Sequence, residues 1–165
     1  MKVKANLGSE YIELKNLINE KKLNTVCEEA SCPNIYECWS MGTATFMIMG
    51  DTCTRACGFC DVNTGKPSDL DELEPIRVAE SVKTMKLTHA VVTSVNRDDL
   101  DDGGSKFFAK TIQEIKLMNP STSVEVLIPD FKGDRRAIDN IINEAPEVLN
   151  PVSYTHLTLP TICSV

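Results

Sequence analysis

The fold is decided by an apolar run that leads into a cysteine loop: Thr43-Ala-Thr-Phe-Met-Ile-Met-Gly50 precedes Cys53-Thr-Arg-Ala-Cys57-Gly-Phe-Cys60. The first run is short, apolar and closed by glycine, which is typical of a parallel strand buried on both faces. Parallel α/β proteins bind their ligands where the strands end. A cysteine-rich loop directly after such a strand therefore predicts a site at the carboxyl edge of a sheet.

Strand-like and helix-like patterns alternate after this run. Helices are predicted over 75–86, 105–118 and 134–144, and strands over 89–95, 124–128 and from Val148 onward. A further helix over 9–22 precedes the cysteine-bearing stretch 27–39, which is predicted to be irregular. The alternation favours a parallel α/β sheet with right-handed crossovers. Its loops 53–60, 93–104 and 129–133 are expected to line one common mouth.

Length and composition exclude several classes of protein. The chain has 165 residues, of which 42% are apolar and 25% charged, as in one ordinary globular domain. A formal charge of −7 argues against nucleic acid or an anionic membrane as a partner. No apolar run approaches the roughly 20 residues of a membrane span. With no signal-like start, the sequence predicts a cytoplasmic protein.

The cysteines are unusual in number and position. There are seven, and six of them fall between Cys27 and Cys60. In a reducing cytosol such a cluster favours metal binding or redox chemistry over disulfides.

Cys53, Cys57 and Cys60 have the spacing Cys-x3-Cys-x2-Cys. Three close thiolates on a glycine-containing loop can hold a cubane iron–sulfur cluster, leaving its fourth iron open for another ligand. Structural zinc prefers four protein ligands in Cys-x2-Cys pairs, so zinc fits this triad less well.

Cys27, Cys32 and Cys38 form a second triad, with the spacing Cys-x4-Cys-x5-Cys. By its spacing alone, this triad indicates an iron–sulfur cluster less specifically than the Cys53 triad does. All six thiols could together hold one zinc with two to spare, or serve a two-cluster electron carrier. The Cys-x2-Cys-x2-Cys spacing of such carriers is absent.

The Cys53 triad resembles the motif of radical S-adenosylmethionine (radical SAM) enzymes, and both triads together resemble the lipoyl synthase family over about residues 11–150. The resemblance rests on five groups of residues: 26–39 (VCEEASCPNIYECW), 42–46 (GTATF) with 50–55 (GDTCTR), 59–62 (FCDV), 91–100 (VVTSVNRDDL) with 102–104 (DGG), and 127–131 (LIPDF).

The resemblance implies the first half of a partial parallel (β/α) barrel of the radical SAM type, preceded by a helix and a cysteine-rich segment. Residues 1–42 would form the N-terminal helix and auxiliary-cluster segment, 43–151 the half barrel, and 152–165 a non-native tail. It also implies S-adenosylmethionine and two [4Fe–4S] clusters. Cys53, Cys57 and Cys60 would hold the radical-generating cluster. Cys27, Cys32 and Cys38 would hold the cluster that donates sulfur.

The activity implied is insertion of two sulfur atoms at carbons 6 and 8 of a protein-bound octanoyl-lysine. These carbons are unactivated, and no protein base reaches their pKa, so hydrogen abstraction by a 5′-deoxyadenosyl radical suits the task. The implied partners are octanoylated carrier domains of 2-oxoacid dehydrogenase acyltransferases and of the glycine cleavage H protein. Flavodoxin or ferredoxin is the implied electron donor.

Loop residues beside the triad are further candidates. Contacts to S-adenosylmethionine or substrate are predicted for Phe59, Thr93, Ser94, Asn96, Arg97 and Asp98; the alternative for 93–98 is a solvated turn. Arg55 could tune the cluster, contact the cofactor or form a salt bridge.

Other polar residues favour structural roles. Asp98, Asp99, Asp101 and Asp102 do not match a calcium loop, and acids before a helix complement its dipole. His89 is interpreted as a packing residue and Trp39 as a shield for the first cluster. Gly103-Gly104 lacks the dinucleotide fingerprint.

Two other functions stay open from the residues alone. One is a different two-cluster radical SAM sulfur transferase, similar to biotin synthase or a tRNA methylthiotransferase. The other is a ferredoxin-like carrier or zinc module, which would bind no S-adenosylmethionine.

The tail from Val152 departs from the rest of the chain. Its 14 residues carry no Asp, Glu, Lys or Arg. The run from Val152 to Thr161 resembles a translated transposase adapter from DNA library preparation. We therefore predict that the tail is not native and exclude Cys163 and His156 as ligands.

Overall fold

The computed structural model describes residues 9–29, 32–58 and 60–151. Its α-helices are α1 (Ser9–Glu20), α2 (Val26–Glu29), α3 (Ile35–Ser40), α4 (Glu74–Thr84), α5 (Ser105–Met118) and α6 (Arg135–Ile142). Its strands are β1 (Asn24–Thr25), β2 (Thr43–Ile48), β3 (Thr52–Cys53), β4 (Asn63–Thr64), β5 (His89–Ser94), β6 (Ser123–Ile128) and β7 (Val148–Pro151). A 3-10 helix spans Phe131–Gly133.

Five strands form one sheet in the order β1-β2-β5-β6-β7. The last four are parallel, with a helix between each consecutive pair, whereas β1 runs antiparallel to β2. The predicted α/β class with a mostly parallel sheet is therefore confirmed. The carboxyl ends of β2, β5 and β6 lie side by side, so the loops after them share one edge.

The two faces of the sheet differ in burial. Val124, Val126 and Ile128 on β6 are buried, while the alternating Ser123, Glu125 and Leu127 are partly exposed. The buried face packs into one core with the apolar sides of α4, α5 and α6, including Val82, Phe108, Ile112, Ile115 and Ile141. On β2, where burial on both faces was expected, the consecutive Phe46, Met47 and Ile48 are all buried. On β6 one face is partly exposed, so burial of both faces does not extend across the described sheet.

A network of polar side chains joins β5, β6 and β7 on the partly exposed face of the sheet. His89 Nε2 lies 3.0 Å from Glu125 Oε2, and its Nδ1 lies 3.0 Å from Ser123 Oγ. Asn150 donates to the other oxygen of Glu125 at 2.7 Å. His89 is thus a half-buried packing residue, as predicted, whose ring also makes polar contacts.

The cysteine-rich segment is more regular than predicted. Instead of being irregular over 27–39, the chain forms α2 and α3 there. The hydroxyl of Thr25 accepts the N–H of Glu28 at 3.3 Å and so starts α2. The β3–β4 ribbon was not predicted either. Two-residue strands carry no period that a sequence pattern could reveal.

Some predictions fall outside what the structure describes. Phe59 and the tail 152–165 lie outside the described residues, and the domain boundaries stay predictions. None of the described helices is long and apolar enough to cross a membrane.

Candidate functional site

The loop that bears Cys53, Cys57 and Cys60 begins directly beyond the carboxyl end of β2. Its base is closed by the parallel ribbon, in which Thr52 pairs with Asn63 and Cys53 with Thr64. The N–H of Gly65 donates to the carbonyl of Cys53 at 3.0 Å. The ribbon therefore fixes where the cysteine loop leaves the sheet and where it returns.

Cys53 is the buried thiol of this triad, whereas Cys60 is exposed. The Cys53 Sγ accepts two backbone N–H groups, from Arg55 at 3.4 Å and from Asn96 at 3.3 Å. Hydrogen bonds of this kind fix the position of the sulfur and tune a metal bound to it. Asn96 is thus brought to the site through its backbone.

Backbone and hydroxyl groups join the cysteine loop to the end of β5. Thr54 donates both its N–H and its Oγ1 to the carbonyl of Asn96, at 3.1 and 3.0 Å. The N–H of Asp98 donates to Thr54 Oγ1 at 3.1 Å. The two loops predicted to share a mouth are therefore in direct contact.

Arg55 extends this connection to a third loop. Its guanidinium pairs with Asp98, after β5, and with Asp130, after β6. The pairing with Arg55 outweighs burial and holds the pKa of Asp98 below its usual range. Of the alternatives for Arg55, the structure shows the salt bridge.

Arg97 lies beneath this surface. Its side chain is buried, pairs with Asp99 at 2.8 Å and donates to the carbonyl of Met49 at 3.3 Å. Met49 also donates its N–H to buried Glu74 at 2.8 Å. Arg97 and Glu74 therefore hold the turn that directs β2 into the cysteine loop.

Thr93 and Ser94 point to opposite faces of β5. Thr93 donates its Oγ1 to the carbonyl of Leu127 at 3.1 Å, across to β6. The Ser94 Oγ is buried and has no hydrogen-bond partner among the described residues. Contacts from 93–98 to S-adenosylmethionine stay a prediction, as do those of Phe59, which lies outside the described residues.

The remaining acids have separate structural roles. Asp102 accepts the N–H groups of Gly104 and Lys106 at 3.1 and 3.0 Å and so caps α5. Asp99 pairs with Arg97, and Asp98 with Arg55. Only Asp102 thus takes the predicted place at the helix start, whereas Asp98 and Asp99 pair with arginines.

Of the first triad, Cys27 lies on α2, Cys38 on α3 and Cys32 between these two helices in the sequence. Cys27 is buried in α2, Cys38 is half-buried in α3, and the N–H of Cys32 donates to the carbonyl of Cys27 at 3.1 Å. Burial, and then the neighbouring Cys27 and Cys32, raise the pKa of the Cys38 thiol. Trp39 is buried in the adjoining core.

The donor set fits iron–sulfur clusters. All six described cysteines are free, and within each triad the thiols lie within electrostatic reach; burial, then Cys53 and Cys60, raise the pKa of Cys57. No group of three or more His, Cys, Asp or Glu side chains in the described ranges is arranged to hold a single metal ion. A cluster takes each thiolate on a different iron, so three free thiols near one another are the donors that it needs.

Sequence inspection missed two residues of this site. Asp130 follows a predicted strand end at Pro129-Asp130 and could have been found by its position. Glu74 could not have been found from the sequence, because an acid beside Pro75 at a helix start usually faces water. Only the packing of α4 buries it.

Fold and site together define a parallel α/β protein with a cysteine-lined site at the carboxyl edge of its sheet. No protein-family model matches the chain. The mitochondrial lipoyl synthase of Nematostella vectensis is 55% identical over 150 residues, 91% of this chain and 52% of the relative. The lipoyl synthase of Christiangramia forsetii is 55% identical over 91% of this chain and 51% of its own length. The lipoyl synthase of Mycobacterium tuberculosis is 56% identical over 90% of this chain and 48% of its own length.

Over about nine tenths of its length, the chain is therefore similar to lipoyl synthases, at 53–56% identity. It spans about half the length of the curated relatives that it matches.

Proposed function

We propose that the protein containing this sequence is a lipoyl synthase, which inserts two sulfur atoms at carbons 6 and 8 of a protein-bound octanoyl-lysine. The observation that carries the proposal is the Cys53 loop at the carboxyl edge of the parallel sheet, in a chain 53–56% identical to lipoyl synthases. The same observations support a half barrel of the radical SAM type as the finer fold.

Each cysteine triad would hold one [4Fe–4S] cluster. Cys53, Cys57 and Cys60 supply three thiolates, so a fourth iron is left for S-adenosylmethionine. When bound, these groups would supply the radical chemistry and the sulfur.

The chain's own residues orient and enclose this centre. Cys53 is buried and its sulfur accepts two N–H groups, so one side of the triad is shielded from water. Thr54 and Asn96 fix the loop against β5. The partly exposed polar face of β5 and β6, with Thr93 at its carboxyl end, is the surface on which we place S-adenosylmethionine and the octanoyl chain.

Cys27, Cys32 and Cys38 would hold the cluster that donates sulfur. We further propose octanoylated carrier domains of 2-oxoacid dehydrogenases and of the glycine cleavage H protein as substrates. A low-potential protein such as flavodoxin or ferredoxin is the proposed reductant, and the cytoplasm the proposed location.

The division of roles between the triads is testable by substitution in the complete protein in which this sequence occurs. Cys53→Ala should abolish cleavage of S-adenosylmethionine, because the radical-generating cluster is lost. Cys32→Ala should still form 5′-deoxyadenosine but no lipoyl product. Both products are measured by mass spectrometry on an octanoylated peptide. A Cys32→Ala protein that makes lipoyl product at the parent rate would contradict the donor assignment.

Metal analysis separates this proposal from a zinc module. Anaerobic reconstitution should give roughly eight irons with matching sulfide per chain. One or two zincs without sulfide would favour the module instead.

A further inference from the structure

Arg55 is shared by two carboxylates that come from distant parts of the chain. Its Nε and Nη2 donate to Asp98 at 2.6 and 2.8 Å. Its Nη1 and Nη2 donate to Asp130 at 3.1 and 2.9 Å. All three nitrogens of the guanidinium therefore donate hydrogen bonds, and each carboxylate is bound in a bidentate manner.

This arrangement differs from an ordinary surface ion pair. The three side chains are only 17–25% exposed, and bidentate geometry makes such pairs directional. The partners lie 43 and 75 residues away in sequence, whereas Arg97–Asp99 and Arg136–Asp134 join residues two positions apart. Arg55 thus connects three separate loops at one point.

The charges around Arg55 are balanced. Lys132 Nζ lies 3.5 Å from Asp98 Oδ1, so two cations face two carboxylates. Because four of its five N–H donors are already used, Arg55 cannot offer a bidentate contact to the carboxylate of a ligand without breaking one of these pairs. Its position inside the Cys53–Cys57 interval instead couples the thiol loop to the ends of β5 and β6.

We propose that Arg55 is a positioning residue that fixes the Cys53 loop against the carboxyl ends of β5 and β6, through Asp98 and Asp130. The inference rests on the proposed function in one respect, that the loop carries a cluster which must face a ligand at this edge. Misplacement of reacting groups by about 1 Å can cost on the order of 100-fold in rate. A three-loop bridge limits such displacement.

The test compares Arg55→Lys, Arg55→Gln and Asp130→Asn with the control Arg136→Gln. The control removes an Arg–Asp pair whose arginine is 91% exposed. All are made in the complete protein on a Cys27→Ala, Cys32→Ala, Cys38→Ala background, so that the Cys53 loop holds the one remaining cluster. Lysine keeps the charge but cannot form two bidentate pairs, so it separates positioning from charge.

Two measurements report on position. Amide hydrogen exchange of loops 53–58, 96–99 and 129–133 should become about tenfold faster in both Arg55 variants and in Asp130→Asn, but not in Arg136→Gln. After reconstitution, the change that S-adenosylmethionine causes in the electron paramagnetic resonance spectrum of the reduced cluster should be lost or heterogeneous in the same variants. Iron content should stay at about four per chain.

The possible failures are distinguishable. Parent-like exchange and spectra in Arg55→Lys would show that charge alone matters and would overturn the inference. If Arg55→Gln does not fold, Asp130→Asn provides the test, because this variant leaves the Arg55–Asp98 pair intact. Parent-like exchange and spectra in Asp130→Asn would also overturn the inference. A parent protein that binds no iron contradicts the proposed function, and the exchange data still test the bridge.

Discussion

Glu74 is the buried acid that holds the end of β2. Its side chain is 5% exposed and accepts the N–H of Met49, whose φ of 69° lies in the left-handed region. Burial outweighs this hydrogen bond and the charges of Arg77 and Arg97, and raises the pKa of Glu74 to about 6. The folded protein therefore favours the protonated acid more than the unfolded chain does.

Glu74→Gln should remove a pH-dependent loss of stability. Because the folded pKa is above the ordinary value of 4.5, the free energy of unfolding should fall as the pH rises from about 4.5 through 6. At neutral pH, ionisation of Glu74 lowers the free energy of unfolding by at most about 2 kcal/mol. Glutamine can still accept the Met49 N–H, so the variant should be more stable than the parent at pH 7.5 and similar at pH 4.5. Urea unfolding of the apo-protein at both values checks this.

The exposed Glu20→Gln should show no such difference from the parent. Parallel stability curves for parent and Glu74→Gln across this range would show that Glu74 does not carry the effect.

Gly104 has both a left-handed backbone and no room for a side chain. Its φ is +86°, and an added Cβ would lie 2.3 Å from the sulfur of buried Met49. Gly133 has a similar φ of +79° but nothing within 4 Å of an added Cβ. The pair therefore separates backbone strain from steric overlap.

Gly104→Ala should destabilise the apo-protein more than Gly133→Ala. Both variants should lose about 1–2 kcal/mol of stability because alanine is strained in a left-handed backbone. Only Gly104→Ala should lose more, because its added Cβ overlaps Met49. The free energies of unfolding from urea titrations give the comparison. Equal losses at the two positions would mean that Met49 moves aside without cost.

At the scale of elements, Asp102 determines where α5 begins. Gly104 precedes the helix and offers no side-chain cap, so Asp102 satisfies the N–H groups of Gly104 and Lys106. Burial raises the pKa of Asp102, but these donors outweigh it and hold the pKa below its usual range. The cap keeps the loop after β5, which carries Asp98, anchored to α5.

Asp102→Ala should cost about 1 kcal/mol of stability, whereas Asp102→Asn should cost less because an amide oxygen can still cap the helix. Urea unfolding at pH 7 measures the two losses. If Asp102→Asn instead lost more stability than Asp102→Ala, the charge near the helix start would matter more than the hydrogen bonds.

At the scale of the whole molecule, the described sheet is open at β7. This strand pairs with β6 alone within the described ranges, and Val148 on it is 39% exposed. Unpaired strand edges promote association between chains. The alternating partly exposed residues of β6 show that one sheet face is open as well.

We predict that the 165-residue chain, produced by itself, associates and shows no turnover. Val148→Lys should reduce the association, since a lysine on an edge strand disfavours pairing with another chain. Size-exclusion chromatography with light scattering compares the two. A monodisperse, active preparation of the unchanged chain would contradict the prediction.

The sequence by itself determined the alternation of elements and the two cysteine triads. Local periodicity sufficed for α5, predicted and found at residues 105–118. Spacing alone marked Cys53, Cys57 and Cys60 as candidate ligands of one cluster. The partners of Arg55, the burial of Glu74 and the open sheet face were decided by tertiary structure alone. Asp98 and Asp130 lie 43 and 75 residues from Arg55, and only the parallel order of β2, β5 and β6 brings these three strand ends together.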